Sequence, residues 1–280
     1  MVSPRVKFHW PRIRHALGKP LRLGEREFRV RGYLSNNLAV GLTHEPHLLE
    51  PFARAMAARP GVVIDVGVNT GQTLLKLLAI DPTRRYVGFE PQVGCCFFVD
   101  QFLRDNNLRT HQIICLALGN RNGLLPLYSS SEVDVLASLV PRSTERYDSE
   151  FIARFVPVRI GDDVLDELGL DAPGIIKVDV EGAEVDVFEG LRGTIAKAKP
   201  ICFFEVLPNY VVGLERTMIN AEAATANREA SAGLMRYFNG LGYGIRQIAA
   251  DGSEHAIDAF DLDNVATYRG CDYVAYPDAA

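Results

Sequence analysis

One short segment of the sequence combines glycines with a carboxylate in a way that suits a small-ligand site. This segment is Asp65-Val66-Gly67-Val68-Asn69-Thr70-Gly71-Gln72. Its glycines let the backbone turn tightly and approach a ligand, Asn69 tolerates left-handed dihedral angles, and Asp65 places a carboxylate near the bend. The G-x-G-x-x-G dinucleotide fingerprint is not met, because Asn69 and Gln72 occupy the positions of its later glycines. A generic turn of an α/β protein is the alternative to a ligand-binding turn.

A second carboxylate ends the next apolar segment. Glu90 closes the run Tyr86-Val-Gly-Phe-Glu90 and precedes Pro91. A carboxylate at this place can accept hydrogen bonds from both hydroxyls of a ribose, as in dinucleotide-binding folds. A solvated glutamate before a proline is the alternative for Glu90 taken alone. The glycine turn and the acidic segment end together predict an adenosine-type ligand.

Charged residues also close two apolar segments later in the chain. Lys177, Asp179 and Glu181 alternate in the segment Ile175-Ile-Lys-Val-Asp-Val-Glu181, and Glu205 ends Ile201-Cys-Phe-Phe-Glu205. Charged side chains at the end of an apolar central strand cost free energy unless they are paired or functional. Acidic residues that open a helix are favoured by the helix dipole and as caps, which is the alternative for Glu181 and Glu184. We therefore predict a functional role for Asp179 in particular.

The elements that carry these residues alternate between strands and helices. Apolar runs at 61–66, 86–90, 175–180 and 201–206 predict strands, and the segments that follow the first three carry apolar residues at helical spacing. Strands that are apolar on both faces and alternate with helices indicate a parallel sheet covered on both sides. The fold class is α/β, a Rossmann-like, doubly wound, mostly parallel sheet of about seven strands. The carboxyl ends of such strands are where open sheets bind ligands.

Two segments interrupt this alternation. Residues 112–118 and 124–128 flank Asn122-Gly123, which predicts a β-hairpin insertion. The alanine-rich segment 215–232 favours a helix and follows the strand that ends at Glu205. We predict a lid at 208–233, with a surface helix as the alternative. The chain then divides into an N-terminal region at 1–44 and a catalytic domain at 45–280.

Composition and charge exclude several classes of protein. The 280 residues are 48% hydrophobic, which suffices for a large core, and the net charge of −5 provides no general attraction to nucleic acid. The first 32 residues are basic, with nine Lys/Arg against two Glu, and predict a surface-lying arm or a contact with an anionic lipid or substrate. No stretch approaches the roughly 20 apolar residues of a transmembrane helix. Five cysteines without metal-ligand spacing predict a reducing cytoplasm.

Five segments between about residue 45 and residue 206 together resemble the FkbM-type methyltransferases. In order, these are Val63–Gly71, Phe89–Pro91, Leu116–Asn120, Ile176–Glu184 and Pro200–Glu205, and Cys271–Pro277 resembles the final strand of the family. The Lys-x-Asp-x-Glu-Gly-x-Glu block in the fourth segment is the most distinctive. The resemblance implies an S-adenosylmethionine-dependent methyltransferase that acts on a hydroxyl of a sugar, a glycan or a natural product. The basic arm and the segment 208–233 depart from the family pattern, which leaves the acceptor open.

The resemblance also implies roles for individual residues. The segment 65–71 would cradle the methionine part of S-adenosylmethionine, Glu90 would hold the ribose, and Ala117 with Leu118 would line the adenine. Asp179 and Glu181 would face the sulfonium and the acceptor. The expected cofactor-binding residues are Asp65, Val66, Gly67, Asn69, Thr70, Gly71, Gln72, Glu90, Pro91, Ala117 and Leu118.

Methyl transfer from a sulfonium to a hydroxyl requires alignment of donor and acceptor and a base for the hydroxyl proton. Asp179 is the expected base, with Glu181 and Glu205 as the other candidates, and Lys177 is the fourth expected catalytic residue. Close carboxylates either raise one another's pKa or share a cation such as Mg²⁺ or Ca²⁺. We predict a site without a metal, because a positive ion beside a sulfonium opposes cofactor binding.

Three further points follow from the same residues. A binding module that keeps the nucleotide fold without turnover is one alternative function. A nicotinamide-dependent oxidoreductase is another, which the missing glycines disfavour. His44 and His47 precede the first predicted strand, and we expect a helix there with both as surface or packing residues.

Overall fold

In the computed structural model of the chain, the described residues are 19–23, 26–30, 45–129, 134, 137–139, 152–207, 210–211, 216–217, 221–263 and 271–278. The start of the basic arm, up to residue 18, and His44 lie outside these ranges. So does most of the segment 208–220.

Fifteen strands, seven α-helices and a short 3-10 helix at Pro46–Leu48 are found in the described residues. The strands are β1 (Lys19–Leu23), β2 (Arg26–Val30), β3 (Val62–Val66), β4 (Tyr86–Phe89), β5 (Gln112–Ile114), β6 (Ala117–Gly119), β7 (Gly123–Ser129), β8 (Ile152–Ile160), β9 (Pro173–Val178), β10 (Ile201–Glu205), β11 (Tyr210–Val211), β12 (Arg216–Thr217), β13 (Tyr243–Ile248), β14 (Glu254–Ala256) and β15 (Asp272–Pro277). The α-helices are α1 (Leu49–Ala58), α2 (Gln72–Ile80), α3 (Val93–Asp105), α4 (Gly161–Glu167), α5 (Glu184–Gly190), α6 (Arg192–Ala198) and α7 (Ala221–Gly240).

Eight strands form the central sheet, in the order β14-β13-β15-β10-β9-β3-β4-β5. The five strands from β10 to β5 in this order are parallel. Strand β15 runs antiparallel to both β10 and β13, and β14 runs antiparallel to β13. The predicted mostly parallel α/β sheet is confirmed, with eight strands where about seven were expected. The expected final strand at 271–277 is also present.

Helices cover both faces of this sheet and enclose two apolar clusters. One cluster joins residues such as Ile64 and Phe204 to helices α4 to α7. The other joins Val63 and Phe203 to helices α1 to α3 and to the β1–β2 hairpin. Neighbouring residues of a strand point to opposite faces of the sheet. Because helices cover both faces, every residue of β3 and of β4 is buried. The apolar runs of the sequence are therefore central strands, as predicted.

Part of the basic N-terminal region is folded onto the domain. Strands β1 and β2 form an antiparallel hairpin whose Phe28 packs against Phe102 of α3, with ring centroids 6.0 Å apart. The Asn106 side chain accepts a hydrogen bond from the Arg29 N–H at 2.6 Å and donates one to the Arg29 carbonyl at 2.8 Å. This stretch of the predicted surface arm is thus a docked hairpin.

The hairpin predicted at Asn122-Gly123 is wrong. Strands β6 and β7 belong to a separate sheet of order β6-β8-β7, in which β8 lies between them. Strand β8 pairs parallel with β6 and antiparallel with β7. The Asn122 side-chain oxygen accepts hydrogen bonds from Ile160 N at 3.0 Å and Arg159 Nε at 3.2 Å, so it binds the end of β8. Asn122 and Gly123 bend the chain between β6 and β7, but both strands pair with β8 and not with each other.

The predicted alanine-rich helix is present and extends further along the chain. Helix α7 runs from Ala221 to Gly240, and its last third buries Leu234, Tyr237 and Phe238 in the core. That part of the helix is a core element. The predicted lid at 208–233 lies partly outside the described residues and stays a prediction. Within the part of the chain that the structure describes, none of the helices combines the length and the apolar character needed to cross a membrane.

Candidate active site

The turn that follows β3 has the backbone conformations expected from its sequence. The angle φ is 89° at Gly67, 48° at Asn69 and 96° at Gly71. Asn69 stabilises its own left-handed conformation, because its Oδ1 accepts a hydrogen bond from Thr70 N at 2.8 Å. A Cβ placed on Gly67 would lie 1.8 Å from the carbonyl oxygen of Asp179. Glycine at this position therefore lets the turn after β3 touch the turn after β9.

Glu90 follows β4 and points toward the turn after β3. Its Oε2 accepts a hydrogen bond from Asn69 N at 2.8 Å, and its Oε1 accepts one from Gln92 N at 2.8 Å. Burial raises the pKa of Glu90, and these N–H groups partly offset that effect. Each carboxylate oxygen has two lone pairs, so each can also accept a ligand hydroxyl. The expected contact of Glu90 with the ribose stays a prediction.

Gln92 takes part in this site and was not predicted. Its Nε2 donates to the Asp134 carbonyl at 2.9 Å, and its Oε1 accepts from Asp134 N at 2.9 Å. Asn69 Nδ2 donates to the same carbonyl at 3.2 Å. Asn69 and Gln92, whose backbone N–H groups bind Glu90, therefore also bind the backbone of Asp134 through their side chains. A polar residue just before an apolar helix was the available sequence signal, but it indicates a helix cap equally well.

Asp65 lies inside the sheet. Its side chain is fully buried, and its Oδ2 accepts a hydrogen bond from the Tyr86 hydroxyl at 2.5 Å. Its Oδ1 has no hydrogen-bond partner among the described residues. Burial raises the pKa of Asp65 to about 6, although the nearby Lys177 ammonium lowers it. The expected contact of Asp65 with the cofactor stays a prediction, and it would involve the Oδ1 atom.

The turn that follows β9 carries the ion pair of Lys177 and Asp179. Lys177 Nζ donates to Asp179 Oδ2 at 2.7 Å, and the two side chains are 9% and 25% exposed. Burial lowers the pKa of Lys177, but the charges of Asp179, Glu45 and Asp65 outweigh it and raise the pKa overall. The lysine is therefore a permanent cation that holds Asp179. Lys177 and Asp179 alternate in the sequence, and this contact shows that their side chains lie on the same side of the strand.

Glu205 joins the same group from the end of β10. One oxygen atom each of Asp179, Glu181 and Glu205 lies within 4.8 Å of the other two. Burial, followed by the negative charges of Asp179 and Glu181, raises the pKa of Glu205 well above its usual value. The structure thus brings together the three carboxylates that are the candidate bases. Carboxylates at this spacing share a proton or a cation, and an all-oxygen set suits Mg²⁺ or Ca²⁺ better than zinc.

A buried pair of His47 and Asp272 lies beside Glu205. The distance from His47 Nε2 to Asp272 Oδ2 is 2.7 Å, and Asp272 is opposite Glu205 in the pairing of β10 with β15. His47 lies in the 3-10 helix just ahead of α1 and is buried, as a packing residue would be. The sequence did not point to Asp272, because this residue begins β15, and only the antiparallel direction of β15 brings it to the same edge as Glu205.

Ala117 and Leu118 lie in β6, which belongs to the sheet β6-β8-β7 and not to the central sheet. Both are buried, and Leu118 belongs to the core cluster. Cys115 is the exposed residue of this stretch, and its Sγ lies 3.9 Å from the Pro91 carbonyl oxygen, next to Glu90. The expected adenine contacts of Ala117 and Leu118 stay a prediction. Cys115 is a further residue near Glu90.

An open sheet with a glycine turn, a buried carboxylate and a group of charged residues at the carboxyl ends of its parallel strands defines an α/β enzyme of the nucleotide-binding kind. The Methyltransferase FkbM domain matches residues 65–243, well over half of the chain. The chain therefore belongs to the FkbM methyltransferase family. This assignment removes the nicotinamide oxidoreductase alternative.

Several known proteins are similar to this chain. The 2-O-methyltransferase NoeI of Sinorhizobium fredii (strain NBRC 101917 / NGR234) is 29% identical over 152 residues, which cover 49% of this chain and 60% of NoeI. The structure of methyltransferase FkbM from Methylobacillus flagellatus KT is 17% identical with a TM-score of 0.44, covering 78% of this chain and 44% of that one. An O-methyltransferase from Bacillus cereus in complex with SAH is 9% identical with a TM-score of 0.42, covering 88% of each chain.

Proposed function

We propose that the protein is an S-adenosylmethionine-dependent O-methyltransferase whose acceptor is a hydroxyl of a sugar, a glycan or a natural product. The observation that carries this proposal is the group of Asp179, Glu181 and Glu205 beside the turn that follows β3. It offers bases for a hydroxyl proton next to a site suited to an adenosine-type ligand. The similarity to a 2-O-methyltransferase supports oxygen as the atom that is methylated.

The residues on the cofactor side fit S-adenosylmethionine. Both oxygens of Glu90 keep lone pairs for the ribose hydroxyls after their bonds to backbone N–H groups. The buried Oδ1 of Asp65 still lacks a partner among the described residues. The turn 65–71 would lie against the methionine part. When bound, the cofactor supplies an electrophilic methyl group, and the protein aligns the acceptor and excludes water.

We assign the base to Glu205. A base works best when its pKa lies near the working pH, and Glu205 is the carboxylate whose pKa is raised by burial and by its acidic neighbours. Asp179 Oδ2 is engaged by the Lys177 ammonium, and this fixed position suits Asp179 to orient the acceptor hydroxyl. In the proposed step, Glu205 would take the hydroxyl proton while the acceptor oxygen bonds to the methyl carbon, and the methyl–sulfur bond would break to leave a neutral thioether. Glu181 lies beside both and contributes negative charge.

The acceptor experiment uses labelled S-adenosylmethionine and a panel of methyl glycosides of neutral hexoses. Calorimetry with S-adenosylmethionine first establishes binding, and transfer of the labelled methyl group then establishes turnover. A methyl ether survives alkali, whereas a methyl ester is hydrolysed, so alkali treatment of the product identifies the methylated group. Binding without transfer to any hydroxyl acceptor would favour the binding-module alternative, and label that alkali releases would contradict transfer to a hydroxyl.

Two further parts of the proposal concern the setting of the reaction. We propose a reducing compartment, the cytoplasm, because Cys95, Cys96, Cys202 and Cys271 are buried free thiols whose pKa values are raised by burial.

We also propose that the segment 208–233 covers the acceptor, since it follows Glu205. Shortening this segment should change acceptor kinetics and leave S-adenosylmethionine affinity unchanged, whereas equal damage to both would mean that it is structural.

A further inference from the structure

Glu184 is the first residue of α5, and its carboxylate points back at the turn that carries Asp179 and Glu181. Its Oε1 accepts hydrogen bonds from Val180 N at 3.2 Å and from Gly182 N at 3.1 Å. The side chain is buried. One oxygen that binds the N–H groups on both sides of Glu181 restrains the backbone of Glu181 itself.

Glu181 has a backbone conformation that requires such support. Its φ is 60°, in the left-handed region, and φ of the following Gly182 is 108°. A residue with a Cβ seldom holds this conformation unless its surroundings impose it, and such residues concentrate at functional sites. Relaxation of Glu181 into a right-handed or extended conformation would turn its side chain away from Asp179 and Glu205.

Contacts from other elements hold the outside of the same turn. Asp179 N donates to the Val66 carbonyl at 2.9 Å, and Ser138 Oγ donates to the Glu181 carbonyl at 2.8 Å. These bonds fix the turn against the β3 strand end and against residue 138. Glu184 supplies the restraint from within the turn, and it binds N–H groups that precede the helix, so its action differs from that of a cap on α5.

We propose that Glu184 is a positioning residue for methyl transfer. Its carboxylate shapes the turn that presents Asp179 and Glu181, and it touches neither the acceptor nor the cofactor. The inference rests on the proposed function of the carboxylate group at this edge of the sheet. It also explains why an acidic side chain is buried beside Asp179 despite the charge repulsion that results.

The experiment compares Glu184→Gln and Glu184→Leu with the control Glu189→Leu, which alters a half-buried, ion-paired residue of the same helix. The measurements are kcat with a methyl glycoside that the wild type methylates, the Kd of S-adenosylmethionine, and hydrogen exchange of the Val180 and Gly182 amides. A glutamine oxygen can still accept both hydrogen bonds, so Glu184→Gln should keep kcat within about threefold of the wild type. Glu184→Leu should lower kcat by about 100-fold, the scale of an ångström-size misplacement.

Two further readouts separate positioning from a purely structural role. In Glu184→Leu, Kd should stay within about threefold of the wild-type value, because Glu90 is untouched. Exchange at Val180 and Gly182 should accelerate in that variant, and Glu189→Leu should behave as the wild type. If Glu184→Leu does not fold, Glu184→Asp, which is one methylene too short to bind both N–H groups, should show the same split.

Several results would overturn the inference. Wild-type kcat in Glu184→Leu would do so, and so would Glu184→Gln being as slow as Glu184→Leu, since the carboxylate charge would then matter for chemistry. Loss of S-adenosylmethionine affinity in step with kcat would indicate a structural role. If the wild type methylates none of the glycosides, the proposed function fails, yet unchanged exchange at Val180 and Gly182 in Glu184→Leu would still refute the positioning role separately.

Discussion

The ammonium group of Lys177 donates a hydrogen bond to the carboxylate of Asp179 across 2.7 Å, at the point where β9 ends. Lys177 is also opposite Asp65 in the pairing of β9 with β3, and its charge lowers the pKa of that buried carboxyl. One lysine therefore balances the negative charge of two carboxylates, Asp65 on β3 and Asp179 after β9.

Loss of this cation should destabilise the fold. Lys177→Met leaves Asp65 and Asp179 without their counter-charge, and removing one partner of a buried pair costs about 3–5 kcal/mol. We expect the free energy of unfolding in urea to fall by roughly that amount. The control is Lys197→Met, whose exposed pair with Asp171 should contribute at most about 1 kcal/mol. Equal losses in the two variants would contradict the assigned role of Lys177.

Glu90 should anchor the cofactor. Glu90→Ala removes the acceptor for both ribose hydroxyls and should weaken S-adenosylmethionine binding by about 1.5–3 kcal/mol. Isothermal titration calorimetry measures this directly. Glu167→Ala, at an exposed site on α4, is the control and should bind as the wild type does. An unchanged dissociation constant in Glu90→Ala would remove Glu90 from the cofactor site.

Variants of Glu205 and Asp179 should differ in their pH profiles. Because Glu205 must be ionised to accept a proton, kcat should rise with pH through its raised pKa, and Glu205→Gln should lower kcat by about 100-fold. Asp179→Asn removes a neighbouring negative charge that raises the pKa of Glu205, so the rising limb should move to lower pH. Full activity in Glu205→Gln, together with an inactive Asp179→Asn, would move the base to Asp179.

Stability should depend on the ionisation of Glu184. Burial raises the pKa of Glu184 from its usual 4.5 to about 7, so the folded state holds this proton more tightly than the unfolded state does. The resulting stabilisation is present below pH 4.5 and is lost as the pH rises to 7. Glu184→Gln should therefore gain up to about 3 kcal/mol over the wild type between pH 4.5 and pH 8. Urea unfolding of both proteins at these pH values measures the gain, and a constant difference would refute it.

Methyl transfer should not depend on a divalent ion. A cation bound to Asp179, Glu181 and Glu205 would repel the sulfonium of the cofactor, so EDTA should leave turnover unchanged. Activity that is lost in EDTA and restored by Mg²⁺ would show instead that these carboxylates bind a metal.

The sequence by itself determined the features that depend on neighbouring residues. The left-handed conformations of Gly67, Asn69 and Gly71 follow from short-range sterics, so the tight turn could be predicted without a partner strand. Apolar runs specified the buried strands for the same reason. Parallel strands bring their carboxyl ends to one edge, which is why the meeting of Asp179, Glu181 and Glu205 could also be expected.

Only the tertiary structure decided which distant residues become partners. His47 and Asp272 are 225 positions apart. Gln92 binds the backbone of Asp134, and no local sequence pattern indicates that these two residues are partners. The position of β8 between β6 and β7 is also a tertiary feature. A turn signal specifies a bend in the chain, whereas pairing across the whole sheet decides which strands are neighbours. Such pairings are set by competition among all strands and polar groups for a limited number of buried positions, which no single stretch of sequence contains.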